Sequence, residues 1–142
     1  MGDGGRALSG LIAAFGPTIA AAEGSELAVH AAALRAAGAL LTQTSQALLA
    51  GAKTQGTEVA LANSAVFLEM AGHVVVAWLW LRQAQVALRA LPAAGGDDQD
   101  FYHGKLSACG YFFRWELPRI RPQAELLCGL DRTLLDMRSD WF

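Results

Sequence analysis

The stretch Ala65–Arg82, AVFLEMAGHVVVAWLWLR, is apolar on nearly every side of a helix, and only Glu69 and His73 interrupt it with fully polar side chains. A helix that is hydrophobic all round is either a membrane span or the central element of a helical domain. A second stretch, Phe101–Leu117 (FYHGKLSACGYFFRWEL), is almost as rich in large apolar residues. Together the two stretches predict the core of a helical bundle.

A membrane span is the weaker of the two interpretations. The apolar run Ala65–Leu81 is short, because a span needs about 20 apolar residues. Glu69 and His73 would lie within the hydrocarbon, at a cost of about 2–4 kcal/mol for such a side chain. No cluster of Lys or Arg flanks the run to set an orientation. We therefore expect no membrane span.

Composition bounds the class of protein. A chain of 142 residues is the size of one domain, and residues 1–142 are expected to form a single helical domain in which 1–5 are a flexible lead-in. Only 17% of the residues are charged, below the usual share of about 25%. This deficit indicates either a surface covered by a partner or an alanine-rich bundle with many small exposed side chains. The net charge of −2 gives no broad footprint for nucleic acid.

Cysteine usage and the N-terminal sequence bear on the compartment. Cys109 and Cys128 show no CxxC spacing and no disulfide framework, so we interpret both as small buried apolar residues in a reduced compartment. The opening residues Met1–Arg6 lack the basic and apolar regions of a signal peptide. A cytoplasmic location is the resulting expectation.

The spacing of apolar residues predicts five helices and no strand. The expected segments are Gly5–Ala22, kinked or split at Gly16-Pro17, Ser25–Ala52 capped by Ser25, Thr57–Leu91, Asp97–Leu117, and Pro122–Met137. Short connections favour antiparallel neighbours, so we predict an all-α, up-and-down antiparallel helical bundle of four to five helices with a long central third helix. The small residues along the second helix would face the large side chains of the third and fourth: Trp78, Trp80, Phe112, Phe113 and Trp115.

No set of residues forms a convincing catalytic, cofactor-binding or metal site. Glu69 and His73 are four residues apart, whereas a di-metal bundle needs Glu-x-x-His twice, with further carboxylates. We expect these two residues to pair within their helix or to contact the second helix. Nothing marks Cys109 as a thiolate nucleophile, so packing is its expected role.

The aromatic end of the fourth helix is the candidate interface. Tyr111, Phe112, Phe113 and Trp115 cover too much of the helix circumference to point only inward. Trp115 sits near the helix end at Pro118, so we place it at a contact surface, while Trp80 on the third helix is expected in the core. The neighbouring Arg114, Arg119 and Arg121 form either a basic patch for an acidic partner or a phosphate-bearing ligand, or solvated groups at a helix end. The predicted interface residues are Tyr111, Phe112, Trp115 and Arg119.

The third to fifth helices resemble the extra C-terminal domain of one branch of the acyl-CoA dehydrogenase family, which includes 3-methylmercaptopropionyl-CoA dehydrogenase. The similar residues are Phe67-Leu68, Gly72, Trp78–Leu81, Phe101-Tyr102, Lys105-Leu106, Tyr111–Phe113 and Glu116–Arg119, with Asp3–Ala7 and Asp140–Phe142 at the two ends. The resemblance covers nearly the whole chain and is strongest over Leu61–Leu134. Its motifs are apolar and aromatic.

The resemblance implies a role without catalysis in this chain. Members of the family bind FAD and an acyl-CoA thioester, and a glutamate removes the α-proton while hydride passes to the flavin. No residue here matches that glutamate or the flavin-binding motifs. The resemblance therefore implies an accessory domain, either excised or separately encoded, that packs on the dehydrogenase core or a second subunit. FAD would belong to the parent enzyme, and a homo-oligomer is expected. The alternative is a freestanding interaction or oligomerisation bundle unrelated to acyl-CoA chemistry.

Overall fold

The computed structural model describes residues 4–142, and these residues contain helices and no strand. The α-helices are α1 (Gly4–Glu23), α2 (Ala28–Gln55), α3 (Thr57–Leu61), α4 (Ser64–Ala90), α5 (Asp97–Tyr111), α6 (Ile120–Cys128) and α7 (Thr133–Asp136). Helix α4 packs against α1, α2, α5 and α6, and α2 packs against α1, α3, α4 and α6. The predicted all-α antiparallel bundle with a long central helix is confirmed. The first part of the predicted lead-in, residues 1–3, lies outside the described residues.

One buried row on each central helix forms the core. On α4 the row is Met70, Val74, Ala77, Leu81, Ala84 and Ala87, at steps of three or four residues. On α2 the row includes Ala31, Leu34, Gly38 and Leu41, as the spacing predicts. Small side chains on α2 let α1 approach, and the position of a Cβ at Gly38 would lie 3.4 Å from Ile12 Cδ1. Most of the buried core residues are alanines and leucines at the contacts between helices.

The first helix is not split at Gly16-Pro17, because α1 continues through Pro17 as one helix. Proline removes only one backbone N–H from the helical ladder, at a cost of about 3 kcal/mol. Phe15 and Ile19, on either side of the proline, are both buried against the bundle. Tertiary packing thus outweighs the local cost.

Ser25 does not cap α2, which begins three residues later at Ala28. Its hydroxyl donates to the carbonyl of Ala22 at 2.8 Å and accepts from the backbone N–H of Leu27 at 3.1 Å. The side chain therefore holds the turn between α1 and α2. Helix α2 also runs further than predicted, to Gln55, and ends at Gly56, whose φ of 106° suits glycine.

The predicted third helix is two helices in the structure, because the helix is interrupted at Asn63, between α3 and α4. Asn63 is buried, and its side-chain amide donates to the backbone carbonyl of Asp131 at 2.9 Å. This bond joins the start of α4 to the C-terminal segment. A contact across 68 residues overrides local helix propensity here.

The predicted end of the fourth helix at Pro118 is also corrected. After α5 the chain continues as a π-helical turn, Phe112–Glu116, and a 3₁₀ turn, Leu117–Arg119, before α6. Pro118 lies at the start of the 3₁₀ turn, where its missing N–H costs least.

The predicted fifth helix is shorter than expected. It starts at Ile120 and ends at Cys128, and Leu130 then takes a positive φ of 50° before the short α7. Of the apolar residues in the predicted segment Pro122–Met137, Leu127 is buried, whereas Leu126, Leu134 and Met137 are exposed. Leu130 instead packs its methyl groups beside Gly51 of α2.

Helix α4 and its extension, Ser64–Ala93, are long and apolar enough to cross a membrane by length and composition, with a mean hydropathy of 1.6 in the most apolar window. Only 22% of that window is buried in the fold. Leu68, Val76, Leu79 and Val86 form much of the exposed face. The same length and composition also occur in core helices of soluble proteins, so the expectation of no span stays a prediction.

Candidate functional site

The four predicted interface residues lie around the π-helical turn that follows α5. Tyr111 and Trp115 are 59% and 63% exposed, and their rings stack on each other with centroids 6.2 Å apart. Arg119 is exposed and reaches back to Glu116, with Nη1 3.3 Å from Oε2. Three of the four predicted residues, Tyr111, Trp115 and Arg119, are therefore exposed. We call these three residues, together with Glu116 as the ion-pair partner of Arg119, the Trp115 surface.

Phe112 differs from the other predicted interface residues, because it is half-buried and packs against the core. Its ring lies 6.2 Å from the imidazole of His73 on α4. Phe113, the next residue, is buried and stacks on His30 of α2 at 4.7 Å. The aromatic run thus divides between the core and the surface, as its coverage of the helix circumference indicated.

His73 has a different carboxylate neighbour from the one suggested by spacing. Its Nδ1 donates to the backbone carbonyl of Glu69 at 3.0 Å, while Nε2 lies 3.7 Å from Oε2 of Glu116. The Glu69 carboxylate is not the partner. Sequence spacing missed Glu116 because the π-helical turn, which brings it towards α4, has no clear local signal.

The metal-ligating residue types do not cluster in the part of the chain that the structure describes. Residues 4–142 contain no group of three or more His, Cys, Asp or Glu side chains that could hold a metal ion. The Trp115 surface contains one carboxylate, Glu116, between His73 and Arg119. The arrangement is suited to contact with another surface, since large exposed aromatic rings and arginine are typical anchors of protein interfaces.

His30 gives a pH dependence that can be tested. Burial, followed by the positive charge of Arg114, lowers the pKa of His30 from its ordinary 6.5. The unfolded chain therefore binds more protons than the folded chain, and the free energy of unfolding should fall as the pH drops through about 6.5. We expect His30→Asn to reduce this acid-side loss, measured by urea unfolding at a series of pH values. His103→Asn removes an exposed imidazole on α5 and is the control; an equal effect of both variants would contradict the assignment.

The two cysteines differ, and the prediction that both are buried is wrong for Cys128. Cys128 is exposed, with Sγ 3.8 Å from Oγ1 of Thr44, while Cys109 is fully buried. Burial raises the pKa of the Cys109 thiol to about 11. A packing role for Cys109 is consistent with this environment, since a reactive thiol needs a lowered pKa.

Thiol titration with a disulfide reagent at neutral pH tests this difference. We expect the folded chain to expose one rapidly reacting thiol and the unfolded chain to expose two. Cys128→Ser should abolish the rapid reaction, and Cys109→Ser should preserve it. Rapid reaction of Cys109 in the folded Cys128→Ser variant would show that the site is open to solvent.

A second candidate site, which sequence analysis missed, lies where α1 and α5 both pack on α4. It is a groove of about 770 Å³, and Arg82, Arg89 and Lys105 are the charged residues among its lining. We call it the cationic groove. Its only sequence signal is the seven-residue spacing of Arg82 and Arg89, which places both on one side of α4. Lys105 comes from α5, so the cluster depends on the packing of separate helices.

Comparison with known proteins identifies the family. Residues 11–138 match the family described as acetyl-CoA dehydrogenase C-terminal like. The broad-specificity linear acyl-CoA dehydrogenase FadE5 of Mycobacterium tuberculosis is 36% identical over 76 residues, which are 53% of this chain and 12% of that relative. The matched part is thus a small fraction of a much longer enzyme. Because the family match extends over most of the length of this chain, the chain belongs to the acetyl-CoA dehydrogenase C-terminal-like family.

Proposed function

We propose that this chain is the accessory C-terminal helical domain of an FAD-dependent acyl-CoA dehydrogenase, and that it packs on the catalytic core or on a second subunit. It forms one domain over residues 1–142 and does not catalyse alone. FAD and the catalytic glutamate belong to the parent enzyme, which is cytoplasmic and oligomeric. Family membership supports the accessory role, and the aromatic runs Trp78–Leu81 and Tyr111–Phe113 favour the branch that includes 3-methylmercaptopropionyl-CoA dehydrogenase.

The observation that carries the proposed packing role is the stacked pair of Tyr111 and Trp115. Both rings are more than half exposed, although each offers a large apolar area. Arg119 and Glu116, which follow Trp115 in the chain within four residues, form an ion pair. An apolar centre with a charged edge is the usual anatomy of a protein interface.

The coding context, co-expression and two assays of the isolated chain test the proposed function. The coding region upstream of Met1, or a neighbouring gene, should encode an acyl-CoA dehydrogenase core, and that core should form a flavin-containing complex with this chain on co-expression. The chain purified alone should show no stoichiometric visible flavin absorbance and no dehydrogenation of acyl-CoA. Bound flavin or activity in the isolated chain would contradict the accessory role, and unrelated neighbouring genes would favour the freestanding bundle.

Self-association of the isolated chain is expected, because the Trp115 surface then has no core to cover it. We expect sedimentation velocity to show a reversible dimer whose fraction rises from low to high micromolar concentration. The reverse-charge variant Arg138→Glu, at an exposed position outside this surface, should leave the equilibrium unchanged. A chain that stays monomeric at high micromolar concentration would contradict this prediction.

A further inference from the structure

The cationic groove has the size of a small-molecule site. Its volume of about 770 Å³ lies within the usual range of roughly 300–1,000 Å³ for ligand sites. Helix α4 contributes most of the lining, Pro17 and Thr18 come from α1, and Phe101, Tyr102 and Lys105 come from α5. The groove lies at the N-terminal end of α5, whereas the Trp115 surface follows its C-terminal end. The residues that line the groove are therefore separate from those of the proposed interface.

The charge of the groove is one-sided. Arg82, Arg89 and Lys105 line it, and no Asp or Glu does. Within residues 4–142, none of these three cations takes part in an ion pair with a carboxylate. The carboxylates that open α5, Asp97, Asp98 and Asp100, are outside the lining. The groove therefore offers up to three positive charges to an anion.

Apolar side chains fill the space between these cations. Leu79, Val86 and Phe101 are 41%, 54% and 59% exposed at the groove. Lys105 reaches over the rings of Phe101 and Trp80, with Nζ 5.4 Å and 5.5 Å from their centroids, so its charged end lies beside an apolar surface. A ligand that fits both features has an apolar body and an anionic end.

Hydrogen bonds hold the α1 side of the groove in place. Trp78 Nε1 donates to the hydroxyl of Thr18 at 2.9 Å, and Gln85 Nε2 donates to the carbonyl of Thr18 at 2.7 Å. The guanidinium of Arg82 lies 5.3 Å from the centroid of the Trp78 ring. Because Thr18 is fixed to α4 at two atoms, little ordering of this wall is needed when a ligand binds.

We propose that the cationic groove binds a phosphate monoester that carries an apolar chain or ring. A phosphate monoester has a charge of about −1.5 to −2 at neutral pH, which matches several cations better than a single carboxylate does. The two arginines can each donate paired N–H groups to phosphate oxygens. The apolar body would lie against Leu79, Val86 and Phe101. This site is additional to the accessory role.

Calorimetric titration of the chain with octyl phosphate, below its critical micelle concentration, tests the proposal. We expect saturable binding of one molecule per chain, at least about tenfold tighter than that of octanoate, octanol or inorganic phosphate. Octanoate that binds as tightly as octyl phosphate would overturn the phosphate assignment. The absence of saturable binding, or equal binding of octanol, would overturn the site altogether.

A pair of double variants with equal change in charge locates the binding. Arg89→Gln/Lys105→Gln removes two groove cations, and Lys53→Gln/Arg121→Gln removes two exposed cations outside the groove. We expect the first pair to weaken octyl phosphate binding by about tenfold or more and the second to change it by less than about twofold. Equal weakening by both pairs would indicate attraction by net charge and would overturn the site.

Loss of fold and attraction to a lipid surface are distinguished from binding in the groove by two measurements. Circular dichroism checks the fold of each variant, and the single variant Arg89→Gln, at an exposed position, replaces the double variant if that one unfolds. Vesicles of phosphatidylglycerol test a membrane surface as the anion. Binding to vesicles without binding to octyl phosphate would assign the cations to a lipid surface and overturn the proposal. Failure of the ligand test leaves the flavin and co-expression tests of the accessory role unaffected.

Discussion

Replacement of Phe15 by alanine is expected to lower the free energy of unfolding by about 3–5 kcal/mol, the usual cost of removing a fully buried phenylalanine side chain. Phe15 is 1% exposed and lies at the contact of α1 with α2 and α4. Its ring centroid is 5.1 Å from that of Trp78, and its Cδ2 would lie 3.8 Å from a Cβ at Gly38. Truncation therefore opens a cavity between three helices. Urea unfolding followed by circular dichroism measures the loss.

Phe142 provides the matched control, since its side chain is 92% exposed. Phe142→Ala should change the free energy of unfolding by less than about 0.5 kcal/mol, as exposed positions usually do. Phe15→Leu should recover much of the stability lost in Phe15→Ala, because leucine refills most of the space. A loss below about 1 kcal/mol in Phe15→Ala would show that α1 does not share the core of the bundle.

The sequence predicts the core well where one helix face decides the burial. Along α2, Ala31, Leu34 and Leu41 recur at helical spacing, and all three are buried as that spacing indicates. The small residues of α2 are predicted to face large side chains, and Ile12 and Phe15 lie beside Gly38, although they belong to α1 and not to the helices predicted. Local periodicity suffices at these positions because a helix that packs on one side must place its apolar residues there.

Sequence reasoning fails where a distant contact or a change of helix type sets the local structure. The interruption of the helix at Asn63 coincides with a hydrogen bond to the carbonyl of Asp131, and the sequence near Asn63 does not predict that partner. The π-helical turn shifts Glu116 towards His73, which alters the pairing that helical spacing suggests. The positive φ of Leu130 turns the chain and leaves Leu134 exposed.

The two candidate sites also differ in how far the sequence alone could predict them. The exposure of Tyr111 and Trp115 follows from too many aromatic residues around one helix, which is visible in a single segment. The cationic groove needs Lys105 of α5 to lie beside α4, where Nζ is 3.3 Å from Oε1 of Gln83. A site made from separate helices is defined only when their packing is known.

Trp80 and Trp115 are expected to respond differently to replacement by alanine. Trp80 is predicted to lie in the core, but it is only half-buried against the core, and Lys105 lies over its ring. We expect Trp80→Ala to lower the free energy of unfolding by about 2–3 kcal/mol, below the cost for a fully buried tryptophan. Trp115 is 63% exposed and contacts Tyr111, so Trp115→Ala should change stability by less than about 1 kcal/mol.

The effect of Trp115 should instead appear in association. Truncation of a central aromatic residue of an interface typically costs about 2 kcal/mol or more of binding free energy, which raises the dissociation constant roughly 30-fold. We expect this loss for Trp115→Ala in the self-association of the chain and in its complex with the dehydrogenase core, measured by sedimentation and by titration. Trp80→Ala, at a temperature where it stays folded, should retain association within about threefold. A loss of stability at Trp115 equal to that at Trp80, with association unchanged, would place Trp115 in the core and remove the basis for the Trp115 surface.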